Sequence, residues 1–279
     1  MTLHADRELA ARIEAFNAMD MRFFAETSAE LYPELSAAWI AVADGVAGFC
    51  GPDSAANGTV GLGVTTGVTE ADIVEIERFF YGHGARPAIA VCPLADMSLA
   101  RWLTARGWVI AGFENVLARE LSARDEIPAP DLAVEIRVAK TAEERMAWAE
   151  LVIEGFSAPD PPTDAKVRLG HTAVAIPGPR NFMTAYVGGE PAGTGELIMA
   201  DGVAWLSADT TLPQFRGRGV QQALQRQRLR IARDAGCDLA VTEAAPGSGS
   251  QRNMERIGFR LVYTRVDAVG PAPVPELGI

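Results

Sequence analysis

The chain of 279 residues is long for one domain of ordinary size and comfortable for two, and 48% hydrophobic against 22% charged residues is enough to bury a sizeable core. A formal net charge of −11 excludes a broad nucleic-acid surface, since little here would neutralise a phosphate backbone, and favours a cationic or amine-bearing partner. Asp44 and Pro93 interrupt the longest apolar runs and the charged start around His4, Asp6 and Arg7 has no signal-peptide core, so a cytoplasmic protein without a membrane partner is expected.

Along the first half, Gly61, Gly63 and Gly67 come first, spaced one residue too far for a dinucleotide fingerprint. An amphipathic helix is predicted before Gly84, followed by a strand segment over 84–91, a helix segment over 99–108 and a strand at 113–119. The stretch 122–131 carries mixed charge with Pro128 and Pro130 and reads as a join. Cys50, Cys92 and Cys237 have no paired spacing and read as reduced core thiols, and His4, His83 and His171 are too scattered for a metal site.

In the second half a strand at 193–199 is followed by another at 204–212, which Pro213 stops. Gln214, Phe215, Arg216, Gly217, Arg218, Gly219 and Val220 then lead into a helix on which Ala223, Leu224, Ile231 and Ala235 recur at nearly helical spacing. Glycines at a strand-to-helix turn let backbone N–H groups approach a phosphate at the helix's positive end. Gly236 stops that helix, a buried strand begins at Cys237, a helix covers 250–259 and a strand covers 260–265. Gln222 stands where a dinucleotide fingerprint needs Gly or Ala, no Gly-Lys-Ser or Gly-Lys-Thr occurs, and Ser248 lacks the spacing of a serine nucleophile turn. Arg226, Arg228, Arg230 and Arg233 read as a solvated helix face.

The segments around Gly84, Gly107 and Phe113–Arg119 parallel those around Gly236, Gly258 and Leu261–Arg265, so two similar units in tandem are expected. The first lacks the glycine loop at the decisive place.

Gln214, Gly217 and Gly219, with the helix, strand and Gly-Phe helix ending that follow, resemble the acetyl-CoA loop of the GCN5-related N-acetyltransferases, over about residues 132–267. The resemblance implies an α/β (α+β) fold of two tandem acetyltransferase-like domains, each a mixed twisted sheet flanked by helices. Residues 1–125 form the degenerate domain without a cofactor loop, and residues 131–279 bind acetyl-CoA as co-substrate, with no metal. It further implies acetyl transfer to a primary amine by direct attack in a ternary complex. Thr210, Thr211 and Leu212 then run beside the pantetheine, their main chain polarising the thioester carbonyl. Gln214, Arg216, Gly217, Arg218, Gly219 and Val220 hold the pyrophosphate, and Asn253 adds a cofactor contact.

Three carboxylates compete as the base, Glu243, Asp209 and Glu196, with Glu243 placed nearest the expected acetyl group. Met254 stands where many members carry a Tyr that protonates the leaving thiolate, leaving Ser250 or water for that role. The acceptor pocket corresponds to helices at 141–155 and 163–176 and their loop, where Glu154, Phe156 and Asp160 line an amine site. A small-molecule or peptide amine is the implied acceptor, and a homodimer stays open. The missing Tyr also leaves a second reading, a non-catalytic CoA-binding sensor or interaction protein.

Overall fold

A computed structural model describes residues 3–130 and 133–272. In chain order the elements are α1 (Arg7–Leu31), β1 (Ala38–Val42), β2 (Gly45–Phe49), β3 (Gly58–Val60), α2 (Glu70–Gly82), β4 (Ala88–Val91), α3 (Met97–Ala105) and β5 (Val109–Glu120). The second half continues with β6 (Glu135–Val138), α4 (Ala142–Ser157), α5 (Asp164–Ala175), β7 (Arg180–Val187), β8 (Glu190–Ala200), β9 (Val203–Thr211), α6 (Val220–Asp234), β10 (Leu239–Ala244), α7 (Gly249–Arg256) and β11 (Arg260–Val269).

The chain packs as two units, and the partition does not follow the sequence linearly. One unit comprises His4–Glu114 and the C-terminal strand from Tyr263 onward; the other contains Asn115–Val262. Of the join expected at 122–131, residue 131 lies outside the described residues, while Ile127 within it is buried in the core of the second unit.

In the N-terminal unit the strand order is β1-β2-β3-β4-β11. β3 runs parallel to β4, meeting it at Thr59 opposite Ile89, and β4 pairs antiparallel with β11 from Val91 opposite Val266 to Ala88 opposite Val269. Phe80, Ile73 and Ile76 of α2 and Leu99 and Leu103 of α3 bury their apolar stripes in its core with Val42 and Ile89.

The C-terminal unit has the order β5-β10-β9-β8-β7-β6. β10 is antiparallel to β5 and parallel to β9, which makes the sheet mixed. Alternation along β7 shows how the helices cover it: Phe182 packs with Trp148, Val152 and Val174 of α4 and α5, whereas Met183 and Ala185 pack with Ala223 and Leu224 of α6. The sheet therefore has α4 and α5 on one face and α6 on the other. Each unit draws its last strand from the other half of the sequence, β11 in one and β5 in the other.

The expected internal repeat is present as structure. α2, β4, α3 and β5 answer α6, β10, α7 and β11 in order. All four helices end with a glycine of positive φ, at Gly84 (+66°), Gly107 (+73°), Gly236 (+83°) and Gly258 (+95°). The residue after each glycine donates back to a carbonyl in the last turn: Ala85 to Phe80, Trp108 to Leu103, Cys237 to Ala232 and Phe259 to Met254. Cys50, Cys92 and Cys237 are buried and unbridged. No helix among the described residues is long and apolar enough to cross a membrane.

The reading of Arg228 as part of a solvated face is corrected. Its side chain is fully buried beneath β8 and β9, donating to the carbonyls of Glu196 and Ser207 at 3.0 Å each and to the Asp209 carboxylate. Glu196 is likewise removed from the candidate bases, because its two oxygens accept from Arg180 Nη1 (2.8 Å) and Ser207 Oγ (2.9 Å) inside the sheet. Replacing Arg228 with Met strands a buried carboxylate without its cation and is expected to cost about 3–5 kcal/mol in urea unfolding. Adding Asp209→Asn should recover part of that loss. A cost below about 1 kcal/mol, as for an exposed pair, would show that the guanidinium does not hold this part of the sheet.

Candidate functional site

The site begins where two parallel strands part. β9 and β10 pair from Val203 opposite Leu239 to Leu206 opposite Thr242, and Thr242 Oγ1 closes the ladder by donating to the Leu206 carbonyl. Beyond this point Ala208 takes a positive φ of +52°, and the β8 to β9 register slips between Thr194 and Glu196. This is a β-bulge, which bends the strand and re-aims the residues after it. Thr194 Oγ1 secures it through the Ala208 carbonyl (3.0 Å) and the Thr210 hydroxyl (2.7 Å).

After the bulge, the Leu212 N–H donates to the Ala192 carbonyl of β8 at 3.0 Å, so Leu212 is corrected as an oxyanion donor and its side chain sits in the core. By strand alternation the main chain of Thr211 faces the opposite, open edge, and its carbonyl accepts from Arg216 Nε at 3.4 Å. Of the stretch Thr210, Thr211 and Leu212, whose main chain was expected beside the pantetheine, Thr211 is thus the residue whose N–H faces the open edge.

A short 3-10 turn, Pro213–Phe215, buries Phe215 and leads to Gly217 and Gly219, both with φ of +77°. Gly219 caps α6 in a left-handed conformation that a Cβ disfavours, no side chain caps the helix, and its first turn holds no acidic residue. Helix N–H groups left in this state form an anion site at the positive end of the helix dipole.

Thr211, Arg216, Gly217, Gly219 and Asn253 line a groove of about 710 Å³ with Asp209. Thr210, Val220, Ser250 and Phe156 also border it. Gly155 brings α4 against β9, since a Cβ there would lie 2.6 Å from Thr210 Cβ. Gln221 and Arg256 are groove residues that sequence alone did not assign. Gln221 joins α6 to α7, donating to Ser250 Oγ (3.2 Å) and accepting from Asn253 Nδ2 (2.6 Å), and Arg256 donates to Asn253 Oδ1 (3.0 Å). The available signal was Asn253 and Arg256 at helical i, i+3 spacing.

Other expected residues fall outside the groove. Gln214 and Arg218 are exposed, the Arg218 guanidinium lying 5.5 Å from the Phe215 ring centroid. Glu243 is half-buried on β10 opposite Val116 and does not border the groove, whereas Asp209 does. Burial pushes the Asp209 carboxyl up from its ordinary value, with Arg228 pulling the other way. Met254 is 1% exposed and packs in the core, so that position offers no group to the groove. Glu154 and Asp160 line a second cavity of about 700 Å³ with Glu150, Ser157 and Arg137, while Phe156, two residues after Glu154, borders the groove. Among the described residues no cluster of three or more His, Cys, Asp or Glu side chains is placed to hold a metal.

Residues 145–259, which include this bulged strand and the glycine-turned helix after it, match the model described as the acetyltransferase (GNAT) family. The C-terminal unit carries a GNAT acetyltransferase domain. Solved structures show the same fold over most of the chain. A GCN5-related N-acetyltransferase from Kribbella flavida is 20% identical, with 94% of this chain and 95% of that chain covered and a TM-score of 0.64. A tandem GNAT protein from the clavulanic acid biosynthesis pathway is 15% identical, covering 73% of this chain and 70% of its own, at a TM-score of 0.56. A functionally unknown conserved protein from Staphylococcus epidermidis is 14% identical, with 85% and 94% covered and a TM-score of 0.59. At such identities the likeness is one of fold. No curated protein sequence matches significantly.

The groove fits the family's acyl donor on the chain's own features, namely the uncapped N–H groups at Gly219, the adjacent Arg216 and the open edge at Thr211. Gly219→Val forces a β-branched residue into positive φ, which costs roughly 1–3 kcal/mol of strain. Calorimetry should show CoA affinity falling by several kcal/mol in the folded variant. Unchanged affinity would move the phosphate site elsewhere.

Proposed function

We propose that the C-terminal unit transfers the acetyl group of acetyl-CoA to a primary amine by direct attack in a ternary complex, in a cytoplasmic protein. The observation that carries this reading is the open, αL-capped N-terminus of α6 beside the gap between β9 and β10. Bound acetyl-CoA supplies an activated thioester. The chain's part is to hold it and to move protons. Gly217, Gly219 and Arg216 face the phosphates, and Gln221 holds Asn253 and Ser250 along the groove. The Thr211 N–H on the open edge supports negative charge developing on an oxygen.

An amine attacks only when neutral, so a base must take its proton. Asp209 borders the groove and Glu243 does not, which exchanges the order expected from sequence: Asp209 is proposed as the base, burial raising its proton affinity against the pull of Arg228. Ser250 Oγ, or water, returns a proton to the departing thiolate. Phe156 at the groove and Glu154 and Asp160 in the neighbouring cavity are proposed to receive the acceptor, a small molecule or peptide bearing an amine.

A second reading, a CoA-binding sensor without turnover, is favoured by the burial of Met254 where a hydroxyl would assist the leaving group. Thiol release across a panel of diverse amines separates the two. Turnover with any amine supports transfer, and CoA binding without turnover supports the sensor.

A base must be deprotonated to act, so kcat/KM should rise with pH as the Asp209 carboxyl loses its proton. Asp209→Asn keeps the shape and a hydrogen bond to Arg228 but removes this limb, with turnover falling by about 10²–10⁴-fold. Glu243→Gln is expected to stay near the parent value. If Glu243→Gln loses turnover and Asp209→Asn keeps it, the roles are reversed.

Cofactor stoichiometry follows from comparing the repeats. α2 begins with a capping box in which the Thr69 hydroxyl accepts from the Asp72 N–H and the Asp72 carboxylate accepts from the Thr69 N–H, with Glu70 also in the first turn. Those donors are satisfied and the local charge repels phosphate. Calorimetry should therefore find one acetyl-CoA per chain; two equivalent sites would contradict the assignment of residues 1–125 as a degenerate domain.

A further inference from the structure

In the N-terminal unit, the segment between β3 and α2 is the counterpart of the loop between β9 and α6. It too contains a pair of glycines two residues apart with positive φ, Gly61 (+74°) and Gly63 (+81°), against +77° at both Gly217 and Gly219. The difference lies in what its N–H groups face. Asp44, in the turn joining β1 to β2, reaches across 19 residues of sequence and places its carboxylate in the loop. Oδ1 accepts from the Gly63 N–H at 2.6 Å. Oδ2 accepts from the Thr65 N–H at 2.5 Å, the Thr65 hydroxyl at 2.9 Å and the Thr66 N–H at 3.3 Å.

Successive backbone N–H groups converging on one anion form a nest, the same device that binds phosphate in other proteins. Here the anion belongs to the chain. Burial pushes the Asp44 carboxyl up, and the N–H groups of Thr65 and Gly63 with the Thr65 hydroxyl more than reverse this, so it is held below its ordinary value. Thr65 and Thr66 are exposed and Asp44 only half-buried, so the nest is open to solvent on one side.

We infer that residues 61–66 form an oxyanion site that the protein fills with its own Asp44 carboxylate, and that removing this side chain leaves a site for a free tetrahedral oxyanion of the phosphate class. The inference stands apart from the acetyl-transfer reading, because Asp44 and its donors all belong to the N-terminal unit.

The test uses the full chain and inorganic phosphate, titrated against chloride at constant ionic strength, with thermal unfolding as the readout. Gly219→Val serves as the background in which the C-terminal phosphate site is obstructed. In that background Asp44→Ala should unfold at lower temperature, and phosphate should restore part of the loss in proportion to the logarithm of its concentration, as for any ligand bound by the native state alone. Amide resonances of Gly63, Thr65 and Thr66 should shift in the same titration. Asp44→Asn still fills the nest, so it should lose stability without gaining a response to phosphate. If Asp44→Ala does not fold in chloride, recovery of folded protein on refolding in phosphate supports the site, and failure to recover overturns it. An Asp44→Ala variant as stable as its background, or one whose phosphate response equals the background's, also overturns the inference.

Discussion

The site depends on one buried guanidinium. Taking a charge such as that of Arg228 out of water costs several kcal/mol and is tolerated only where its donors are satisfied. The carbonyls of Glu196 and Ser207 and the carboxylate of Asp209 meet that demand, and they converge because β9 bulges at Ala208. The bulge re-aims β9 beyond its pairing with β10, and Asp209, Thr210 and Thr211 of the re-aimed segment line the groove. The cation on α6 thus ties that helix to β9, and both elements line the groove. The same contact raises a tension at Asp209, whose burial favours the neutral carboxyl while Arg228 favours the charged one.

The glycine loop, its helix and the tandem repeat were legible because each rests on local backbone chemistry. Gly217 and Gly219 mark positive φ, Gly236 and Gly258 mark helix ends, and these positions speak for themselves in a sequence. What was missed depends on partners remote in sequence. Arg228 looked like one of several surface arginines, although it falls on the row Val220, Leu224, Arg228, Ala232, whose other members are apolar and buried. That period-four row was the signal, and an arginine within it implied a buried acceptor. Which of Thr210, Thr211 and Leu212 turns its N–H to the open edge was not legible, because one residue of strand phase decides it and the bulge sets that phase. Glu243 ranked first by its place at a strand end, but such a place does not by itself report which carboxylate borders the groove, as Asp209 does.

The two units show alternative ways of meeting one requirement. A helix begins with N–H groups that have no partner within it. α2 meets this with Thr69 and Asp72 and its loop with Asp44, all from the chain itself, so the segment is complete as it folds. α6 has a glycine at its cap and no acidic residue nearby, leaving the requirement for a ligand to meet. The contrast is between satisfied and unsatisfied donors on similar backbones. It explains how the first repeat holds its loop and helix start in place without a ligand.

The exchange of final strands has a consequence for how the protein is made. β11 completes the sheet of the unit that is synthesised first, so the edge of β4 stays unpaired until residues 263–269 have been translated, after the whole GNAT domain. Domains on most chains fold in order from the N-terminus as they emerge. This one cannot close its first sheet that way, and the pairing of Ala88 with Val269 joins residues 181 positions apart. Contacts so distant in sequence slow folding and leave a strand edge exposed meanwhile. Until β11 is made, the nascent N-terminal unit carries an open β4 edge on which another strand can pair.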